Sequence, residues 1–201
     1  MTKGRLEAFS DGVMAVIITI MVLELKVPHE GDLAALRPLL PTFLTYLLSF
    51  VFMGIYWTNH HHLLHATERV TGGVLWANLH LLFWLSLTPF VTGWMGENHF
   101  EAVPTALYGA VLMCAGIAYY LLQTTIIRAQ GPHSTLAKAV GADLKGKLSP
   151  VIYAIAIPIA FVNQNISDAL YVFVALLWLI PDRRIESQFN ETVGDTRRAA
   201  R

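Results

Sequence analysis

Long apolar runs alternate along the chain with short polar breaks. Residues 6–27, 39–63, 73–95 and 103–127 each meet the roughly 20 residues of helix needed to cross a hydrocarbon layer about 30 Å thick. They predict four full-length transmembrane helices. Residues 149–181 are harder to divide, since only 33 residues contain both Pro158 and a central polar triplet, Asn163-Gln164-Asn165. Two short, tightly connected spans fit this pattern, and so does one re-entrant hairpin. Either returns the chain to the side it left. Residues 131–147 carry Pro132 and spaced lysines and read as a loop on that side, with room for a short amphipathic helix. The expected architecture is an all-α, polytopic membrane protein with six transmembrane helices over residues 1–181 and a polar tail over 182–201.

Composition strengthens this reading. The chain is 55% hydrophobic and only 14% charged, where soluble domains carry about 25% charged residues. Its 14 basic residues balance 14 acidic ones, which leaves no basic face to hold a nucleic-acid backbone. Cys114 is the single cysteine, so an intrachain disulfide is excluded. With six spans, one side receives Lys3, Arg5, Arg69, Arg128, Lys138, Lys145, Lys147, Arg183, Arg184, Arg197, Arg198 and Arg201, which leaves Lys26 and Arg37 for the other. The positive-inside bias therefore puts both termini in the cytoplasm. The cationic start followed by an apolar run also fits a signal peptide. However, Glu7, Asp11 and Glu24 in or beside the run, with no small-residue cleavage site after it, favour a retained first span.

The first span holds the unusual residues. Arg5 lies near the cytoplasmic boundary, and Ser10 and Asp11 lie one to two turns deeper. Intramembrane polar groups are costly and face a protein interior or a water path. Arg5 and Asp11 are six residues apart, too far for a direct i,i+4 pair, so each needs a partner on another helix. Gly12 and Ala15 permit a neighbouring helix to approach closely. A buried packing knot and a transport element both fit these residues. Val16, Ile20, Leu23 and Val27 recur at spacings of four, three and four and so share one helical face, bordered by the Thr19 hydroxyl. Periodicity leaves open whether that stripe meets lipid, a protein core or a pore.

The run Arg5-x-x-x-Phe9-Ser10-Asp11-Gly12-Val13-x-Ala15, continuing through Thr19 to Val22-Leu23-Glu24-Leu25, resembles the first-helix signature of the endosomal/lysosomal potassium channel family (transmembrane protein 175), bacterial branch. Tyr56-Trp57-x-x-His60-His61 with Leu63, Trp76-x-Asn78-Leu79 and Pro89-Phe90-x-Thr92 resemble its second- and third-helix patterns. The likeness covers the first 96 residues in detail and the remainder by hydropathy.

The resemblance implies a homotetrameric, passive, potassium-selective or potassium-permeable channel in the bacterial plasma membrane. It has no carbonyl filter, and the first helices line its pore. It places an apolar constriction at Val16, Ile20 and Leu23, a selectivity layer at Thr19, and a hydrogen-bond network at Arg5, Ser10 and Asp11. Asn78, central in the third helix, is the candidate partner for Ser10 or Asp11. Val16 and Met14 stand where the family often carries isoleucine and phenylalanine, which widens the tightest ring or moves it to Ile20 or Leu23. The implied partners are potassium ions, the lipid bilayer and copies of the chain, with no cofactor and no enzymatic activity.

The rival signal is Asn59-His60-His61-His62-Leu63-Leu64-His65 with Glu68. His61 and His65, four apart, lie on one helical face and are weak candidates for a zinc or iron site. Membrane desaturases and hydroxylases use several His-rich boxes on separate segments, whereas this chain has one. Packing histidines, pH-sensitive tuning of a pore and a metal site all remain as readings. The alternatives from other classes are a His-cluster metalloenzyme and a proton-coupled transporter using Asp11. Trp57, Trp76, Trp84, Trp94 and Trp178 read as packing and interfacial anchors.

Overall fold

In hydrocarbon a backbone has no water to bond, so each apolar run must satisfy its own N–H and C=O groups, and helices do so within the segment. The computed structural model describes residues 2–131, 134, 136–137 and 144–179, and all regular structure among them is helical. The elements are α1 (Lys3–Leu23), a 3-10 helix (Leu33–Leu39) running into α2 (Leu40–His65), α3 (Gly72–Ser86), α4 (Thr88–Glu97), α5 (Ala102–Gln130), α6 (Leu144–Ile159) and α7 (Gln164–Leu179). Four stretches are long and apolar enough to cross a bilayer: Lys3–Leu23, Leu33–His65, Gly72–Glu97 and Ala102–Gln130. Lys138 and the expected tail over 182–201, with Arg183, Arg184, Arg197, Arg198 and Arg201, lie outside the described residues.

Three boundaries differ from the sequence pattern, each for a local reason. First, α1 stops at Leu23, where the Glu24 and Leu25 N–H groups turn to the carbonyls three residues back, Met21 and Val22. Val27, next to Pro28, is 85% exposed beyond the helix and so leaves the stripe of Val16, Ile20 and Leu23. Second, the third apolar run breaks at Leu87. Pro89 has no N–H to give the carbonyl four residues back, and the Leu87 N–H bonds Trp84 O at 3.2 Å. Third, Lys145 and Lys147 sit in the first turn of α6 rather than in a loop.

Polar ties fix which helix ends share a level. Lys3 Nζ donates to His65 O at 2.7 Å and Gln130 Nε2 to Ala66 O at 3.1 Å, so the start of α1 meets the ends of α2 and α5. At the opposite end, Lys26 Nζ lies 2.5 Å from Glu97 Oε1, which joins the exit of α1 to the end of α4. The hydrogen bond and charge of Glu97 raise the Lys26 pKa. This exposed contact is therefore complete below the ordinary lysine range and is lost as pH rises through the shifted value.

The polar triplet is the turn between α6 and α7. There the Asn163 N–H bonds Ile159 O at 2.8 Å, and Asn163 Oδ1 accepts from the Ile166 N–H at 3.4 Å. Trp178 Nε1 donates to Ser149 Oγ at 2.8 Å, pairing the end of α7 with the start of α6 in an antiparallel hairpin. Tyr171 Oη donates to Thr105 O at 3.1 Å, and Thr105 lies in the first turn of α5. The hairpin turn therefore reaches the same end as the α4–α5 connection.

The interior divides into two apolar clusters. One joins α1, α2, α3 and α5 through Met14, Met53, Leu81 and Leu122. The other joins α2, α4, α5, α6 and α7 through Phe52, Met95, Leu112 and Tyr171. In the second, Gly109 has no room for a side chain, because a Cβ there would strike Tyr171 Oη and stand 2.6 Å from Cζ. Gly109→Ala should lower stability by about 1–3 kcal/mol through overpacking. Adding Tyr171→Phe, which removes the nearest atom, should restore part of that loss. Thermal unfolding of the purified protein reads both, and a Gly109→Ala protein as stable as its parent would disprove the contact.

Candidate pore helix and its anchoring network

Helix α1 has two faces of different chemistry. Leu6, Ser10, Met14, Ile17 and Met21, at spacings of four, four, three and four, are buried against the rest of the chain. Gly12, Ala15, Val16, Thr19, Ile20 and Leu23 point away from it. Val16 is 54% exposed, Ile20 43% and Leu23 77%. Thr19 Oγ1 donates its proton to Val16 O at 2.9 Å, which leaves the oxygen lone pairs as acceptors on this outward face. An apolar stripe with a ring of oxygen acceptors is thus presented by a helix whose opposite side is fixed.

The fixing is polar as well as apolar. Ser10 Oγ donates to Leu6 O at 2.9 Å and accepts from Asn78 Nδ2 at 2.9 Å. Asn78 Oδ1 lies 2.7 Å from His60 Nε2. The Ser10 proton is committed to its own backbone, so its oxygen requires the amide nitrogen of Asn78. The amide oxygen then faces His60, whose Nε2 must carry the proton. None of the three is more than 1% exposed, and they join α1, α2 and α3 at one depth. A second buried group joins α2, α4 and α5: Ser49 Oγ lies 2.7 Å from Thr92 Oγ1 and 3.0 Å from Tyr108 Oη. Thr92 also reaches Met21 Sδ of α1 at 4.0 Å.

Within one chain the four residues of the first-helix signature network take separate places. Ser10 and Asn78 meet directly. Asp11, exposed, accepts from Trp57 Nε1 on α2 at 3.1 Å. Arg5 is exposed on the free side of α1. Sequence reasoning missed the roles of His60 and Trp57. The signal for His60 lay in spacing: Ser49, Met53, His60 and Leu64 follow one another at intervals of four, seven and four on the buried stripe of α2.

His61 and His65 fall on the exposed side of α2, with stacked rings 6.1 Å apart. Among the described residues no three His, Cys, Asp or Glu side chains gather to hold a metal, whereas zinc sites draw three or four protein ligands. His80, on an exposed part of α3, accepts from Trp84 Nε1 at 3.0 Å.

Comparison with known proteins bears on this arrangement. The pattern of the family described as "Endosomal/lysosomal potassium channel TMEM175" matches residues 5–89, which include every residue of the Ser10–Asn78–His60 chain. A potassium channel of Chryseobacterium sp. (strain P1-3) is 53% identical over 191 residues, covering 95% of this chain and 100% of that protein. A potassium channel of Streptomyces collinus is 29% identical, covering 98% and 97%. The crystal structure of a lysosomal potassium-selective channel TMEM175 homolog from Chamaesiphon minutus superimposes with a TM-score of 0.77 at 26% identity, covering 89% of this chain and 96% of that one.

Proposed function

Because this chain belongs to the TMEM175 potassium channel family, we propose that it is a passive potassium channel whose pore is formed by copies of α1 around a symmetry axis. It is an ion channel and not an enzyme, and it is a multi-pass membrane protein. The observation that carries the pore assignment is the two-faced α1: its polar and apolar anchors occupy one side, and Val16, Thr19, Ile20 and Leu23 occupy the other. One α1 cannot enclose a water path, so the reading requires an oligomer, and a tetramer follows the family resemblance. Six spans are favoured over a re-entrant hairpin by the Tyr171–Thr105 tie, since a hairpin that turned back midway would not reach the first turn of α5. Residues 1–181 then form the channel domain and 182–201 a cytoplasmic tail. Both termini lie in the cytoplasm of a bacterial cell, on the side of Lys3, Arg5, Arg69 and Arg128.

In this reading Val16, Ile20 and Leu23 form the constriction. An ion crossing an apolar ring exchanges none of its water for protein oxygens there, so passage depends on how much water accompanies it and on the cost of shedding the rest. Potassium holds its shell more loosely than sodium and is penalised less. Thr19 oxygens, with their protons turned to Val16 O, replace part of the lost water. When the ring closes it dewets and blocks flow.

The test is flux from liposomes containing the purified protein, with potassium, sodium and proton gradients imposed separately. Potassium flux that needs neither metal, substrate nor a proton gradient is expected. Flux strictly dependent on a proton gradient would replace the channel with a transporter.

A further inference from the structure

We propose that the cavity between α2, α5, α6 and α7 is a binding site for an anionic phospholipid, with an acyl chain inside and the headgroup at the basic end of the bundle. The cavity holds about 550 Å³, within the range of sites that enclose small apolar ligands. Phe52, Tyr56, Gly116, Tyr153 and Trp178 line it, an aromatic surface suited to hydrocarbon, and Asn59 stands among them as a polar group. Its walls belong to the helices of a membrane protein, so the ligand most concentrated beside it is lipid.

Two helical stripes lead from the cavity to charge. On α5, Tyr120 lines the cavity, and Thr124 and Arg128 follow at steps of four, which puts the guanidinium about 12 Å nearer the helix end. On α6, Tyr153 and Ser149 line it, and Lys145 precedes Ser149 by four, with the Ser149 hydroxyl bonded to Lys145 O at 2.8 Å. Lys147 is exposed in the same turn. Arg128, Lys145 and Lys147 thus stand on the two helices that wall the cavity, at the same end of the bundle. Basic pockets between transmembrane helices recruit anionic headgroups, and each cation near the membrane surface contributes about fivefold in affinity. Neutral lipid would fill the cavity but gain nothing from that end.

The site is built on α2, one residue from His60: Asn59 lines the cavity on one side while His60 bonds Asn78 on the other. Lipid in the cavity therefore touches the helix that holds α1.

Trp178 supplies the probe. The intact protein is reconstituted in neutral phosphatidylcholine with small additions of either phosphatidylglycerol or phosphatidylcholine brominated on the acyl chain, and tryptophan quenching is read. The contribution of Trp178 is taken as the difference from a Trp178→Phe protein. Brominated phosphatidylglycerol should quench Trp178 at several-fold lower mole fraction than brominated phosphatidylcholine. Arg128→Gln with Lys145→Gln should abolish that preference. Gly116→Leu should prevent both lipids from quenching, because a Cβ at Gly116 meets only Tyr56 Oη, at 3.8 Å, and a larger side chain grows into the cavity. Equal quenching by the two lipids in the parent protein would overturn the headgroup assignment. Undiminished quenching in the Gly116→Leu protein would overturn the cavity. Neither result depends on ion selectivity, so the proposal stands or falls apart from the pore reading.

Discussion

Replacing Asn78 with alanine is expected to destabilise the protein by about 2–4 kcal/mol, because it strands two buried groups at once. The Asn78 amide is the only link between Ser10 on α1 and His60 on α2 in this chain of bonds. Without it the Ser10 oxygen keeps only its own helix as partner, and the His60 Nε2 proton faces an apolar core. Single hydrogen bonds between membrane helices contribute modestly, about 0.6 kcal/mol on average, so Ser10→Ala should cost less than Asn78→Ala. The Ser10→Ala, Asn78→Ala double substitution should cost less than the two singles added, because both remove the same bond. Thermal unfolding and the fraction of protein surviving detergent extraction measure these differences. If Asn78→Ala matched Ser10→Ala in cost, His60 would not depend on the amide. Additive singles would deny that Ser10 and Asn78 are energetically coupled.

A different effect is expected on the outward face of the same helix. Ile20→Asn and Leu23→Ser should each lower the potassium-over-sodium permeability ratio by about tenfold, equivalent to roughly 1.4 kcal/mol of differential barrier, because a polar side chain gives sodium a substitute for the water it must shed. They should also raise flux under closed conditions, since a polar ring no longer dewets. Both positions are exposed in the chain, so stability should change little. Ile17→Val makes the contrast. Ile17 is 3% exposed on the opposite face, where loss of one methylene should cost about 0.5–1.5 kcal/mol of stability and leave the permeability ratio unchanged. Reconstituted channels under bi-ionic gradients supply the ratios. An unchanged ratio in both Ile20→Asn and Leu23→Ser would remove these residues from the ion path, and a changed ratio in Ile17→Val would reverse the assignment of faces.

Much of this molecule was legible in its residues because the solvent acts on each span separately. A run of apolar residues long enough to cross hydrocarbon has to become a helix whatever its neighbours do, so the four long spans could be located from pattern alone. The signature around Ser10 and Asp11, and the place of Asn78 at the centre of its helix, named the polar residues that would seek partners. The sequence also showed that the stripe of Val16, Ile20 and Leu23 was continuous, though it carried that stripe one residue set too far, to Val27. The end of α1 depends on how Glu24 and Leu25 turn their N–H groups back onto the last turn.

Partner choice belonged to the tertiary structure. A helical period gives the angle of each side chain about its own axis but nothing about the rotation of one helix against another. Whether Asn78 faced Ser10 or Asp11 was therefore open until α1, α2 and α3 were packed together. The same packing singled out His60 from its neighbours: it lies inside with Asn78, while His61 and His65, one and five residues on, stack on the outer face of the same helix. The sequence determined which segments are helices and which of their residues are costly to bury. The fold decided which of those costs are met by a partner, because hydrogen bonds need atoms within about 3 Å, and only the assembled bundle sets that distance.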